Sequence, residues 1–318
     1  MSSDARPLAV CLKGPTAAGK TAVALELVRE FPFQIISVDS ALVYRGMDIG
    51  TAKPAPAILA QAPHRLIDIR DPWETYSAGD FRQDALAAMH DIVATGQIPL
   101  LVGGTMLYFH VLQAGLAPLP DADPDLRAEI DREAVDKGWP ALHDELRRVD
   151  PIAAGRIEPA DAQRIQRALE VYRLTGEPLS ELQRVTEPDH DYRFFNIGLI
   201  PADRAMLHRR IESRFRKMMD RGLVQEVADL LGHASMSEDA VSMRAVGYRQ
   251  IVQHLRDEIS VEEAERRAIV ATRRLAKRQL SWLRTEPGLL EVNCTADDAL
   301  DRVHALLSGE KSFVQPLA

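Results

Sequence analysis

Eight residues near the start of the chain, Gly14-Pro15-Thr16-Ala17-Ala18-Gly19-Lys20-Thr21, fit the Gly-x4-Gly-Lys-Thr spacing at every fixed position. The chemistry that this spacing serves is the holding of a polyphosphate. Glycines let the backbone curl into a nest of N–H donors, and a helix N-terminus behind the nest adds partial positive charge. Lys20 supplies a full charge for the terminal phosphates, and Thr21 offers a hydroxyl to Mg2+. Such a loop fixes a ligand class and leaves the reaction open. Kinases and ATPases with this loop hold Mg2+ partly through an acid at the end of an apolar strand. Here the apolar run Ile98–Val102 ends in Gly103-Gly104-Thr105 and carries no acid. The acid stands at the end of a different run, Ile36-Ser37-Val38-Asp39-Ser40. Strand C-termini face the ligand crevice in parallel sheets, so Asp39 is expected to face whatever reacts with the phosphate-bound group. A loop cap is the competing role for it.

A second set of residues is cationic. Arg266, Arg267, Arg273, Arg274, Lys277, Arg278 and Arg284 lie within residues 266–284 with no acid between them. Steps of seven and four put Arg267, Arg274 and Arg278 on one helical face. Solvated faces mix their signs, so this run is read as a surface for backbone phosphate rather than for water. Arg214, within the basic stretch Arg209–Lys217, is a candidate second cation for a pyrophosphate, a solvated face being the alternative. The net charge of −8 argues weakly against a nucleic-acid partner. The average hides a gradient: residues 199–290 hold 17 Lys/Arg against 13 Asp/Glu, whereas residues 121–196 hold 11 against 18. An acidic chain can still carry a local basic footprint.

The elements that must position these groups follow from the hydrophobic pattern. Leu8–Lys13, closed by Gly14-Pro15, predicts a buried strand, and Lys20–Glu30 has helical spacing. Gln34–Val38, His64–Ile69 and Ile98–Val102 predict three more strands, with a helix over Ala78–Ala94 capped by Ser77. Strands alternating with helices imply a parallel sheet covered on both faces. Pro118, Pro120 and Pro124, set among aspartates, mark a boundary. From there to about Tyr192 the pattern is helical. Phe194–Ile200 then reads as a strand, Ala202–Leu231 as a long helical stretch, and Val261–Leu283 as a last long helix. The expected architecture is a P-loop NTPase-like α/β core with a parallel sheet, residues 1–120 and 194–318, interrupted by an all-helical insertion domain, residues 121–193.

The ordered motifs resemble the tRNA dimethylallyltransferase (isopentenyltransferase) family. The matching strings are the phosphate loop, Ile-Ser-Val-Asp-Ser-Ala-Leu-Val-Tyr at 36–44, Gly-Met-Asp-Ile-Gly-Thr-Ala-Lys-Pro at 46–54 and His-Arg-Leu-Ile-Asp-Ile at 64–69. They continue through Leu-Val-Gly-Gly-Thr-Met-Leu-Tyr at 101–108, Gln-Arg-Ile-Gln-Arg-Ala-Leu-Glu-Val at 163–171, Val-Gly-Tyr-Arg-Gln at 246–250 and Leu-Ala-Lys-Arg-Gln-Leu-Ser-Trp-Leu-Arg at 275–284. The resemblance implies that the loop holds dimethylallyl diphosphate and that the allylic carbon moves to the exocyclic amine of the adenosine 3′ of the anticodon. It implies Asp39 as general base, Thr105 as a contact to the acceptor base, and Mg2+ with Lys20 and Thr21 on the departing pyrophosphate. It also implies tRNA contacts at Asp39, Ser40, Ala41, Leu42, Thr105 and Arg127, at Gln163, Arg164, Ile165, Gln166 and Arg167, and at Arg244, Gly247, Tyr248 and Arg249; the cationic run adds Arg274, Lys277 and Arg278 as expected backbone contacts. Tyr248 could stack on a base or pack in the core.

Two other readings compete: a small-molecule or nucleoside kinase with ATP in the same loop, and a nucleotide-dependent RNA-binding module without chemistry. The first leaves the acid-free cationic run unexplained, and the second leaves Asp39 without a task. Composition, 46% hydrophobic and 27% charged, fits an ordered globular chain. No apolar run approaches the roughly 20 residues that a membrane helix needs. With two cysteines, one of them in the Leu8–Lys13 run, a disulfide is not expected, and the setting that follows is a reducing cytoplasm, with the chain as a monomer.

Overall fold

The computed structural model describes residues 6–184 and 190–310. Six strands form one sheet: β1 (Leu8–Lys13), β2 (Phe33–Val38), β3 (His64–Arg65), β4 (Ile98–Gly103), β5 (Arg193–Ile200) and β6 (Leu290–Asn293). Their order is β3-β2-β4-β1-β5-β6, and every pairing is parallel. β1 lies between β4 and β5, with Val10 opposite Leu100 on one side and Phe195 on the other. All six residues of β1 are buried, as a central parallel strand covered on both faces requires.

Side chains alternate across that sheet. Ala9, Cys11, Ile36, Val38 and Leu101 face one core, and Val10, Leu12, Ile35, Leu100 and Val102 face another. The second core is closed by α1 (Lys20–Glu30) and by the C-terminal helix at Ala299–Ser308. Further helices run along the chain: α2 (Pro56–Gln61), α3 (Ala78–Ala94), α4 (Met106–Ala114), α5 (Pro124–Lys137), α6 (Trp139–Val149), α7 (Pro151–Ala154), α8 (Ala162–Thr175), α9 (Leu179–Leu182), α10 (Arg204–Asp220), α11 (Leu223–Leu231), α12 (Tyr248–Leu255) and α13 (Val261–Leu283). Ser77 caps α3 through a reciprocal pair, its hydroxyl accepting from the Asp80 N–H and the Asp80 carboxylate accepting from the Ser77 N–H.

The chain divides into two compact units, Met1–Gln113 with His190–Ala318, and Ala114–Asp189. In the second, α5, α6 and α8 bury Ile130, Leu142, Leu146, Ile165 and Leu169 in a core of their own. The parts of the expected domains that fall on residues 1–5, 185–189 and 311–318 lie outside the described residues.

Three expectations need correction. The strand expected over His64–Ile69 stops at Arg65, because Leu66 and Asp68 take left-handed backbone at φ 64° and 56°. Asp68 is turned there by Lys53 Nζ at 2.5 Å, and the Ile69 N–H goes to the Val43 carbonyl instead of to β2. The stretch Ala202–Leu231 is two helices, broken where Gly222 adopts φ 94°. Val261–Leu283 is followed by β6 and by the helix at Ala299–Ser308, neither of which the pattern announced. Among the described residues no helix is long and apolar enough to cross a membrane.

Candidate active site

The phosphate loop leaves the carboxyl end of β1 and enters α1 at Lys20. Gly19 has φ 92° with open space around it, so its backbone angle, not crowding, demands glycine. Ala17, at φ 65°, holds the same left-handed region. The first turn of α1 has no acid and no side-chain cap, the arrangement that suits an anion at a helix N-terminus. Lys20 Nζ donates to the Gly14 carbonyl at 3.0 Å and to the Pro15 carbonyl at 2.9 Å. Burial pushes this ammonium down to about 8, with Asp39 opposing the shift and Arg214 adding to it. Thr21 is exposed. The neighbouring lysine, Lys13, is directed elsewhere: it is 1% exposed, paired with Glu286 and laid over the Phe109 ring at 4.7 Å. Cys11, on the same strand, has its thiol pushed up to about 12 by burial, which disfavours the reactive thiolate.

Asp39 divides its carboxylate between two tasks. Oδ1 accepts the Ala41 N–H at 2.9 Å and the Leu42 N–H at 3.3 Å, which is the loop-cap role. Oδ2 has no hydrogen-bond partner among the described residues. Thr105 stands across from this loop, its Oγ1 accepting the Ser40 N–H at 3.1 Å and its N–H going to the Val38 carbonyl at 3.3 Å. Arg214 reaches from α10 to the Thr16 hydroxyl. The four groups named for chemistry, Lys20, Asp39, Thr105 and Arg214, therefore converge at the carboxyl edge of β1, β2 and β4. One further residue belongs to this network and was not singled out from sequence. Gln279 of α13 accepts the Thr16 N–H and donates to the Gly104 carbonyl, each at 2.8 Å. Only its place inside the 275–284 string pointed to it.

The cationic run separates into two sets. Arg266 and Arg267 both bond Glu263 at 2.6 Å, and Arg273 bonds Glu212 at 2.9 Å. Arg267 shares an exposed face of α13 with Arg274 and Arg278, as the spacing implies, but its charge is taken up by Glu263 one turn before it. Arg274, Lys277, Arg278 and Arg284 are exposed with no ion pair among the described residues, as are Arg244 and Arg249. Tyr248 is fully buried and its hydroxyl donates to Glu226 at 2.6 Å, so of its two roles the structure assigns packing. Glu226 also accepts the N–H groups of Asp48, Ile49 and Gly50, which ties the 46–54 loop to α11. Gly247 is buried just before Tyr248. Within the helical unit, Gln163 and Arg164 are exposed, the latter paired with Asp161, while Ile165 is fully buried. Gln166 donates to Asp131 at 2.6 Å, and Arg127 and Arg167 both grip the buried Glu170.

No cluster of three or more His, Cys, Asp or Glu suited to a metal occurs among the described residues. The family model described as IPP transferase matches residues 42–286. A tRNA dimethylallyltransferase of Thioalkalivibrio sulfidiphilus is 56% identical over 91% of this chain and 91% of its own length. One from Nitrosomonas europaea is 51% identical over 96% and 97%. Among solved structures, the tRNA isopentenylpyrophosphate transferase of Bacillus halodurans is 36% identical, with a TM-score of 0.70 and 96% of each chain covered. A eukaryotic dimethylallyltransferase acting on tRNA, 23% identical, shares the fold at a TM-score of 0.80, over 98% of this chain and 81% of its own. The chain belongs to the IPP transferase family, whose relatives named here are tRNA dimethylallyl- and isopentenyltransferases.

Proposed function

We propose that this protein transfers the dimethylallyl group of dimethylallyl diphosphate to the exocyclic amine of the adenosine 3′ of the anticodon in tRNA, releasing pyrophosphate. The observation that carries this reading is the free Oδ2 of Asp39 held beside the phosphate-loop lysine, in a chain of this family. In the reaction the allylic C–O bond breaks and pyrophosphate leaves with its electron pair. The amine forms the new C–N bond, and its proton passes to Asp39. An amine conjugated to a purine is a weak nucleophile, so a carboxylate within reach is the group the step needs. Lys20 and Arg214 offset the charge that develops on the leaving group. The Thr105 oxygen already accepts the Ser40 N–H, which leaves its hydroxyl hydrogen to hold the acceptor base.

The donor set around the loop suits Mg2+, which takes one or two protein oxygens together with phosphate oxygens and water. Thr21, an exposed residue in the first turn of α1, would hold it through its hydroxyl. When bound, the ion adds positive charge at the leaving pyrophosphate. An adenosine stacked in an anticodon loop has to be unstacked before it enters such a pocket. Arg244, Arg249, Arg274, Lys277 and Arg278, exposed and without acid partners among the described residues, are the groups suited to hold the RNA backbone meanwhile. Gln163 and Arg164 of the helical unit are suited to the anticodon loop. The two free cysteines support a reducing, cytoplasmic setting. The test is incubation with tRNA and dimethylallyl diphosphate labelled in the allyl group. Label in the tRNA is expected, and label remaining wholly in diphosphate would overturn the reading.

A further inference from the structure

One buried carboxamide has both of its ends committed to backbone in the two halves of the site. Gln279, 8% exposed, binds the Thr16 N–H through Oε1 and the Gly104 carbonyl through Nε2. Thr16 belongs to the phosphate loop. Gly104 precedes Thr105, whose hydroxyl fixes the loop that carries Asp39. A Cβ on Gly104 would lie 2.5 Å from Gln279 Nε2 and 3.2 Å from the Gly14 carbonyl, so the turn is pressed against both the carboxamide and the phosphate loop. The Thr16 N–H is turned to Gln279 and is therefore not part of a phosphate nest. Gln279 braces that loop and feeds no donor to a ligand. On the same helix its neighbours Lys277 and Arg278 are exposed and unpaired among the described residues.

We propose that Gln279 is a positioning residue that sets the separation between the donor loop at Thr16 and the acceptor turn at Gly104–Thr105, and so ties the seating of α13 to the alignment of the two reactants. This inference rests on the transferase reading above. Its physical basis is that group transfer tolerates little misplacement, about 1 Å being enough to cost about 100-fold in rate. A side chain of fixed length with a hydrogen bond at each end holds both loops at once. The Met side chain matches glutamine in length and offers neither bond. Gln279→Glu keeps an acceptor for Thr16 but sets an oxygen against the Gly104 carbonyl.

The experiment is single-turnover transfer at saturating substrates, with a double-mutant cycle against Thr105→Ala. Gln279→Met is expected to lose about 100-fold in rate while the KM values of both substrates stay nearly constant. Thr105→Ala is expected to cost much less in the Gln279→Met background than alone, because the two act on one alignment. A parental rate in Gln279→Met would overturn the proposal, as would full additivity with Thr105→Ala accompanied by proportional rises in both KM values. If Gln279→Met does not fold, Gln279→Glu carries the test: the same rate loss supports the proposal and a parental rate overturns it. Transfer by the parent with no loss in either variant refutes this inference alone, whereas no transfer by the parent refutes the transferase reading with it.

Discussion

In the proposed reaction Asp39 serves fold and chemistry together. Its Oδ1 caps the loop to Leu42, and its Oδ2, without a partner among the described residues, is the atom that reading gives the proton. Asp39→Asn keeps an oxygen for the cap and removes the base. Its single-turnover transfer should fall about 100- to 10,000-fold, the usual span of a general base, with the Kd values of tRNA and donor changed far less. Transfer near the parental rate would reduce Asp39 to the cap. Lys20 makes a prediction of opposite kind, on binding rather than chemistry. Burial brings its ammonium down to about 8 in the free protein, and a bound polyphosphate favours the charged form. Above that pH, donor binding must take up a proton. The donor Kd should therefore be flat below pH 8 and rise by up to about tenfold per pH unit above it. Lys20→Ala should abolish this dependence and cost about 1.5–3 kcal/mol at neutral pH. A donor Kd that stays constant through alkaline pH in the parent would contradict the assignment.

Among the elements, α13 has the most to do. Its buried face carries Ala264, Ala268, Ala276, Gln279 and Leu280 into the core, and its outer face carries Arg274, Lys277 and Arg278. The unpaired cations, not the whole run, should set the salt dependence of tRNA binding. Reversal of Arg274 and Arg278 to Glu should weaken tRNA and flatten the plot of log K against log salt, each lost phosphate contact removing roughly 0.7–0.9 from the slope. Donor affinity should stay unchanged. Reversal of Arg266 and Arg267 should do much less, since both already serve Glu263. Equal tRNA affinity in parent and Arg274/Arg278 variant would make that face merely solvated. The phosphate loop was legible in sequence because its chemistry is local: a strand, a nest and a helix start lie within one short string. Ser77 was legible for the same reason, its cap partner being three residues away. Gln279 was not, because both its partners are backbone atoms far along the chain. Tyr248 was ambiguous until Glu226 appeared beside it. The pairing of Arg267 was legible too, since Glu263 stands one helical turn earlier in the sequence. The pattern at His64–Ile69 has strand composition, and only contacts with residues 42–53 bend it away.

At the scale of the molecule, the parallel sheet brings β1, β2 and β4 to one edge, where three separate loops supply Lys20, Asp39 and Thr105. α10 and α13 cover one face of that sheet and add Arg214 and Gln279 to the same edge. The net charge of −8 repels polyanions on average, yet Arg244, Arg249, Arg274, Lys277, Arg278 and Arg284, all exposed and without an ion pair among the described residues, fall within one stretch of 41 residues, 244–284. That distribution suits the proposed enzyme, which takes a diphosphate in its loop and an RNA on its cationic helix. The central claim is alkyl transfer with pyrophosphate leaving intact. The most direct measurement is a single turnover with tRNA and dimethylallyl diphosphate, followed by nucleoside mass spectrometry of the digested tRNA and quantitation of pyrophosphate. The account predicts a dimethylallyl-adenosine at the position 3′ of the anticodon, matched by one pyrophosphate per modified base. An unmodified adenosine, or orthophosphate released in place of pyrophosphate, would contradict it.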